Sequence, residues 1–185
     1  MKFCSICGGN TEKRIPEGDS RERDVCIDCG EIHYSNPKII AGCVPYYGDR
    51  VLLCKRAIEP RYGYWTLPAG FMENQETTQE GAIRETWEEA QAKVSIDHLY
   101  RVFNVPQISQ VYMLFKAELT SLDFGPGEES LEVQLFKEDE IPWDDLAFHT
   151  VHKTLKAYFA DAKTGEYNFE IEDLIHGERP TQLPY

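Results

Sequence analysis

Apolar positions along this chain fall into short strand-like runs and two longer helical ones. Lys38 to Tyr46 reads as a strand, Gly48-Asp49 as a hairpin turn and Val51 to Arg56 as the return strand. Pro60 to Tyr64 is a loop rich in aromatic residues. Trp65 to Ala69 is an apolar run that Gly70 ends. Thr77 and Glu80 fit a capping box, which starts a helix. Ala82, Ile83, Thr86, Trp87 and Ala90 recur at helical spacing and predict one packed stripe on it. Val94 to Phe103 reads as one or two strands. Ser109 to Leu119 is another, alternating through Val111, Met113 and Phe115. Leu122 to Glu129 is a loop around Gly125-Pro126-Gly127, and Leu131 to Phe136 a further strand. A last helix carries Phe148, Val151, Leu155, Tyr158 and Phe159 as its stripe, with Asp144 or Asp145 as its cap, and ends near Lys163-Thr164-Gly165. The tail from Glu166 to Tyr185 is acidic but holds Phe169, Ile171, Leu174 and Ile175. Those side chains need cover, from the domain itself or from a partner subunit. Strands and helices in this order predict an α/β fold.

The first helix also carries the chemistry. Glu85, Glu88 and Glu89 stand at i, i+3 and i+4, so their side chains converge. At ~5 Å and an effective dielectric of ~20, each pair of carboxylates repels by about 3 kcal/mol. A hard divalent cation, magnesium or manganese, offsets that repulsion and prefers oxygen ligands. Gly70 lets backbone, including its own carbonyl, come close to such an ion. A solvated acidic face is the plainer reading of a Glu-x-x-Glu-Glu run taken alone, because charge runs usually face water.

The full spacing favours the metal. Gly70 is followed by five residues and Glu76, then seven residues and Arg84-Glu85, then Glu88-Glu89 and Ala92. This stretch resembles the Nudix box. Thr86 stands where an aliphatic residue is usual, and Gln91 where the box has a helix-ending glycine. The resemblance implies an α/β/α Nudix sandwich with a mixed sheet. It also implies a pyrophosphohydrolase in which Glu85, Glu88 and Glu89 hold magnesium or manganese. Arg84 has the fork geometry to hold Glu76, and in Nudix proteins the matching arginine orients the catalytic glutamates.

Composition narrows the class. The 185 residues include 19 basic and 32 acidic ones, a net charge of −13, which disfavours a nucleic-acid surface. A phosphate substrate is still compatible, since a bound metal inverts the local sign. No apolar run is long enough to span a membrane, and no secretory or transit segment precedes the first cysteines, so a cytoplasmic protein is expected. Those cysteines form two Cys-x-x-Cys pairs, Cys4/Cys7 and Cys26/Cys29, separated by 18 residues, the spacing of a four-cysteine zinc ribbon. Two disulfides are the alternative, disfavoured for a cytosolic chain. So small a module cannot build much core, and zinc would supply most of its folding free energy. Its mixed charges suit a structural or dimer-forming role. Residues 1–34 are expected to be the ribbon, 35–165 the hydrolase domain and 166–185 the tail. Cys43 and Cys54 read as small core residues, and the five histidines show no metal-ligand spacing.

Substrate contacts are less specified. Arg56 closes its strand where it can reach phosphate. Tyr62, Tyr64 and Trp65 can stack on a base or an isoalloxazine ring, or pack in the core. Glu128, Glu129 and Glu132 lie near a loop from which Nudix enzymes often recruit an extra glutamate as base or ligand, and Glu129 or Glu132 is the candidate. The array Ser-Gln-Pro-Trp-Pro-Phe-Pro, found in related enzymes that cleave NADH, is absent from Arg101 to Tyr112. The ribbon, the LLCKR, WTLPAG and RETWEEA segments and the Asp-Glu-Ile-Pro run resemble the Nudix branch that cleaves FAD in plant chloroplasts. This implies FAD cleaved to FMN and AMP. ADP-ribose is the alternative, supported by Pro106, because both share an AMP-pyrophosphate half. A non-catalytic nucleotide sensor is the alternative of another class, though such domains typically have a broken glutamate cluster. RNA processing is disfavoured by charge. A homodimer is expected from the resemblance.

Overall fold

Strand alternation sorts the apolar side chains from residue 37 onward into two layers. The computed structural model describes residues 1–175. They form two units that divide between Asn36 and Pro37, each of which is described by itself.

The first unit is a three-stranded antiparallel sheet of β1 (Thr11–Arg14), β2 (Arg23–Cys26) and β3 (Ile32–His33), in the order β1-β2-β3. Gly8 and Gly30 follow a cysteine of each pair at φ 77° and 75°, a left-handed turn that glycine adopts without strain. These turns fold both cysteine pairs back toward one point.

The second unit contains β4 (Lys38–Tyr47), β5 (Arg50–Arg56), β6 (Trp65–Thr66), β7 (Ala69–Phe71), α1 (Thr78–Ala90), β8 (Val94–Val105), β9 (Gln110–Leu119), β10 (Ser130–Phe136), α2 (His149–Thr164) and β11 (Glu170–Asp173). The sheet runs β10-β5-β4-β9-β8-β11. It is mixed: β4 pairs β9 and β11 pairs β8 in parallel, while β8 and β9 are antiparallel. Beyond their turn, β4 and β5 pair only through Tyr46–Val51 and Tyr47–Arg50. They then splay apart, with β6 pairing β5 and β7 pairing β4.

Alternate residues face opposite layers. Ala41 and Cys43 of β4 pack with Phe115 and Ala117 of β9 and with Ala82 of α1. Leu52 and Cys54 of β5 join Ala90 at the end of α1. Their neighbours Val44, Val51, Leu53 and Leu114 point the other way, onto Val151, Leu155, Tyr158 and Phe159 of α2. One helix therefore covers each face, the expected α/β/α sandwich, and Cys43 and Cys54 are core residues as expected.

Two expectations need correction. On α1, Ala82, Thr86 and Ala90 are buried, but Ile83 and Trp87 are 39% and 50% exposed. At about 100° per residue they lie to one side of the face centred on Ala82, Thr86 and Glu89. Glu89, not either apolar residue, fills the remaining inward position and is only 7% exposed. The second correction concerns α2, which is not capped by Asp144 or Asp145. Those residues sit in a short 3-10 turn, and the helix begins at His149 without a side-chain cap. Leu146 bridges to Trp65, and the Ala147 N–H donates to the Trp65 carbonyl at 2.8 Å, which holds this stretch extended before the helix starts. Val94–Val105, read as one or two strands, is a single strand, with register shifts between Ile96 and His98 and between Leu99 and Arg101.

The tail packs on the domain as far as it is described. Arg101, buried in β8, donates to the Asn168 carbonyl at 2.6 Å and pairs with Glu170 at 3.5 Å. Leu174 is buried, while Phe169 and Ile171 remain exposed. Residues 176–185 lie outside the described residues.

Helix α1 ends at Gln91, which takes the left-handed conformation (φ 49°, ψ 25°) without being glycine. A side chain there is strained, so Gln91→Gly should stabilise the fold by about 1 kcal/mol. A higher urea midpoint with unchanged m-value would show it.

Candidate active site

The capping box fixes where the acidic residues of α1 point. Thr77 accepts from the Glu80 N–H at 3.2 Å, and the Glu80 carboxylate accepts from the Thr77 N–H at 2.8 Å. Two turns later Arg84 meets its partners. Its Nε and Nη2 grip Glu76 at 3.0 and 2.8 Å. Its Nη1 donates to Glu85 and to Glu88, both at 2.8 Å, and Nη2 also reaches the Phe71 carbonyl at 3.2 Å. One guanidinium thus ties three carboxylates of the helix region to strand β7.

Strand β7 lies against the same carboxylates. A Cβ added to Gly70 would overlap the Glu85 carboxylate, so a larger residue would push Glu85 from its place between strand and helix. The Gly70 backbone, the Glu85, Glu88 and Glu89 carboxylates, and Glu128 and Glu129 from the loop before β10 line one cavity of about 670 Å³.

The electrostatics of this cavity are uneven. Glu76 is drawn down to about 2, first by Arg84 and then by the Glu73 N–H. Glu85 is pushed up by burial, with Arg84 pulling against it. Glu89 is pushed up to about 8, by burial first and by the Glu85 charge second; Arg56 and the Ala69 N–H oppose the shift. A buried carboxylate so poorly compensated is one whose charge a bound cation would favour. The donor set, several carboxylates beside a backbone carbonyl, fits a hard divalent ion.

A second, more apolar cavity of about 310 Å³ opens beside the first and shares Arg56, Pro60, Gly70 and Phe71 with it. Its walls include Tyr112, Leu114, Phe148 and Val151. Arg56 sits at the junction, donating from Nε to the Pro60 carbonyl at 2.9 Å, with its guanidinium 5.2 Å from the Phe148 ring.

Of the expected contact residues, Arg56 and Glu129 reach these cavities. Trp65 does not. It is 7% exposed and packs edge-on against Phe136 at 4.9 Å, because β6 pairs with β5 and turns the ring into the core. Glu132 also points elsewhere, pairing with Lys55 at 3.8 Å across β10 and β5. The register shift between Ser130 and Glu132 separates it from Glu129. Tyr112 and Phe148, not among the expected contacts, also line the apolar cavity. The alternation through Val111, Met113 and Phe115 already placed Tyr112 on the opposite face, which was the available signal. Phe148, expected on the apolar stripe of the last helix, instead stands at its N-cap and lines this cavity.

In the first unit the four cysteine sulfurs all lie within 4.8 Å of one another. Cys4 and Cys29 Sγ are 3.8 Å apart, and Cys7 and Cys26 Sγ 3.4 Å. A tetrahedral Zn–S length of about 2.3 Å gives sulfur–sulfur edges of about 3.8 Å, so the cluster fits zinc. The Ile6 and Cys29 N–H groups point at Cys4 and Cys26 sulfur at 3.4 and 3.5 Å, which orients the ligands.

Residues 36–159 match the family model described as NUDIX domain, and residues 2–35 the one described as Nudix N-terminal, a zinc ribbon. The chain belongs to the Nudix family, and its second unit is a Nudix hydrolase domain. A solved Nudix hydrolase from Nitrosomonas europaea is 57% identical and superposes with a TM-score of 0.91, covering 94% of this chain and 99% of that one. An ADP-ribose pyrophosphatase of Methanocaldococcus jannaschii is 26% identical over 68% of this chain and 75% of its own length. An NAD-capped RNA hydrolase, NudC, of Pseudomonas aeruginosa is 30% identical over 76% of this chain, which spans 49% of that protein. A MutT-like protein of Streptomyces ambofaciens is 31% identical over 55% of this chain, which spans 64% of it. Among the described residues no helix is long and apolar enough to cross a membrane.

Because the folded-state value of Glu89 lies above its ordinary value near 4.5, the folded protein holds a proton there that the unfolded chain releases. Without added divalent cation, stability should therefore fall as pH rises from about 4.5 to about 8. Thermal melts should show Glu89→Gln reducing that fall, and magnesium should reduce it in the wild type.

Proposed function

We propose that this protein hydrolyses the pyrophosphate bond of a nucleoside diphosphate derivative, most readily FAD to FMN and AMP. The observation that carries the reading is the Arg84-organised carboxylate set facing the Gly70 backbone, next to an apolar cavity that begins at Arg56.

In this reading Glu85, Glu88, Glu89 and the Gly70 carbonyl hold magnesium or manganese, with Glu129 as a further carboxylate. Such an ion, when bound, offsets the charge of the pyrophosphate and acidifies water at neutral pH. Arg84 and Glu76 keep the glutamates in place. Arg56 meets a phosphate oxygen at the mouth of the apolar cavity, where Tyr112 and Phe148 face the nucleoside. The oxygen of water bonds to one phosphorus, the bridging phosphorus–oxygen bond breaks, and the leaving phosphate departs with the electron pair. The proton from water passes to a carboxylate of the set. Zinc in the four-cysteine cluster is structural in this account.

FAD is favoured by resemblance to the FAD-cleaving branch of the family. ADP-ribose is the second reading, supported by Pro106 and by the archaeal relative that bears that activity in its name. The same family resemblance supports a homodimer, whose mass sedimentation equilibrium reads directly.

Incubation with FAD, ADP-ribose or NADH, each with magnesium or manganese, should release AMP, fastest per unit concentration from FAD. Glu89→Gln should lower kcat by about 100-fold or more. AMP release fastest from ADP-ribose would move the substrate assignment. Tight nucleotide binding without any AMP would favour the sensor.

A further inference from the structure

The loop before β10 is fastened to the end of α1. The last carbonyls of a helix have no donor within it. Here the Glu89 carbonyl accepts from the Gly127 N–H at 3.0 Å, and the Ala90 carbonyl from the Gly125 N–H at 2.9 Å. The Gly125-Pro126-Gly127 segment thus caps α1 from a distant part of the chain. The two glycines differ in what surrounds them. A Cβ on Gly127 would overlap the Glu88 carbonyl oxygen, whereas one on Gly125 would meet no atom within 4 Å.

Glu129 is held from both sides as a result. The Ser130 N–H donates to the Gly127 carbonyl at 3.1 Å, and the Ala57 N–H to the Glu129 carbonyl at 2.8 Å. This pins Glu129 between the end of α1 and the end of β5, with its side chain in the cavity that holds Glu85 and Glu89. Glu132, beyond the register shift, has no such tether to α1 and pairs with Lys55.

We propose that Gly127 is a positioning residue: its backbone clamp on the Glu88–Glu89 end of α1 sets the Glu129 carboxylate in the ion site. The inference rests on the hydrolase reading above. The same hydrogen bonds that finish the helix therefore also place a carboxylate from a second element opposite its glutamates.

The test uses the full chain and manganese binding followed by electron paramagnetic resonance, with melting curves to confirm folding. Gly127→Ala and Glu129→Gln should each weaken manganese binding by about 10–100-fold. Gly125→Ala should stay within about twofold of the wild type. In the Glu129→Gln background, Gly127→Ala should add less than about twofold, because the carboxylate it places is already gone. Wild-type binding by Gly127→Ala, or a loss that adds in full to that of Glu129→Gln, overturns the proposal. Should Gly127→Ala not fold, hydrogen exchange in the wild type decides. By linkage, magnesium should slow exchange of the Gly127 amide by about tenfold, and not in Glu129→Gln; an unchanged rate in the wild type refutes the clamp. If the wild type binds the ion but cleaves no nucleotide, the hydrolase reading fails and the clamp stands. Turnover by the wild type with no effect of Gly127→Ala on binding removes the clamp alone.

Discussion

Arg84 is the side chain that makes the acidic face of α1 tenable. Three carboxylates at that spacing repel strongly, and the guanidinium answers with donors shared among Glu76, Glu85 and Glu88. It does not reach every carboxylate equally. Glu76 is held strongly ionised, Glu85 is pushed up by burial with Arg84 pulling against it, and Glu89 is pushed toward its protonated form by burial. Charge compensation is therefore polarised across the cavity. The carboxylates that Arg84 compensates least lie toward Gly70 and Glu129, where the proposed divalent ion would complete the balance. Lysine could not substitute, since a point charge cannot grip Glu76 through two nitrogens while reaching Glu85 and Glu88.

The fold supplies what Arg84 cannot. The splay of β4 and β5 admits β6 and β7, and β7 brings Gly70 against Glu85. The two faces of the sheet do different work. Small side chains on both sides of the contact, Ala41 and Cys43 of β4 and Ala82 of α1, pack there beside Phe115 and let the helix lie close to the sheet. The α2 face is built from large apolar residues and continues into the apolar cavity beside Arg56. Hydrogen bonds from Gly125 and Gly127 fasten a third element to the end of the helix.

Legibility in the sequence followed how local each feature is. The capping box, the spacing of Glu85, Glu88 and Glu89, and the cysteine pairs are set within one element or one turn, and the structure has them as read. Ile83 and Trp87 misled because apolar character suggested burial, whereas helix geometry turned Glu89 inward instead. Gln91 shows that a helix can end in the left-handed conformation without glycine, its own N–H donating to the Trp87 carbonyl. Glu129 could not be separated from Glu132 before the register shift in β10 was visible. Burial of Trp65, the delayed start of α2 and the place of Phe148 all depend on contacts between distant segments, which no local pattern encodes.

The proposed divalent ion rests on Glu85 and Glu89 together with the Gly70 carbonyl. Anomalous diffraction from crystals grown with manganese tests it directly. The account predicts a peak coordinated by the Gly70 carbonyl and by carboxylate oxygens of Glu85 and Glu89, with Arg84 still bound to Glu76. An absence of manganese there at saturating concentration, or a peak held by other residues alone, would contradict it.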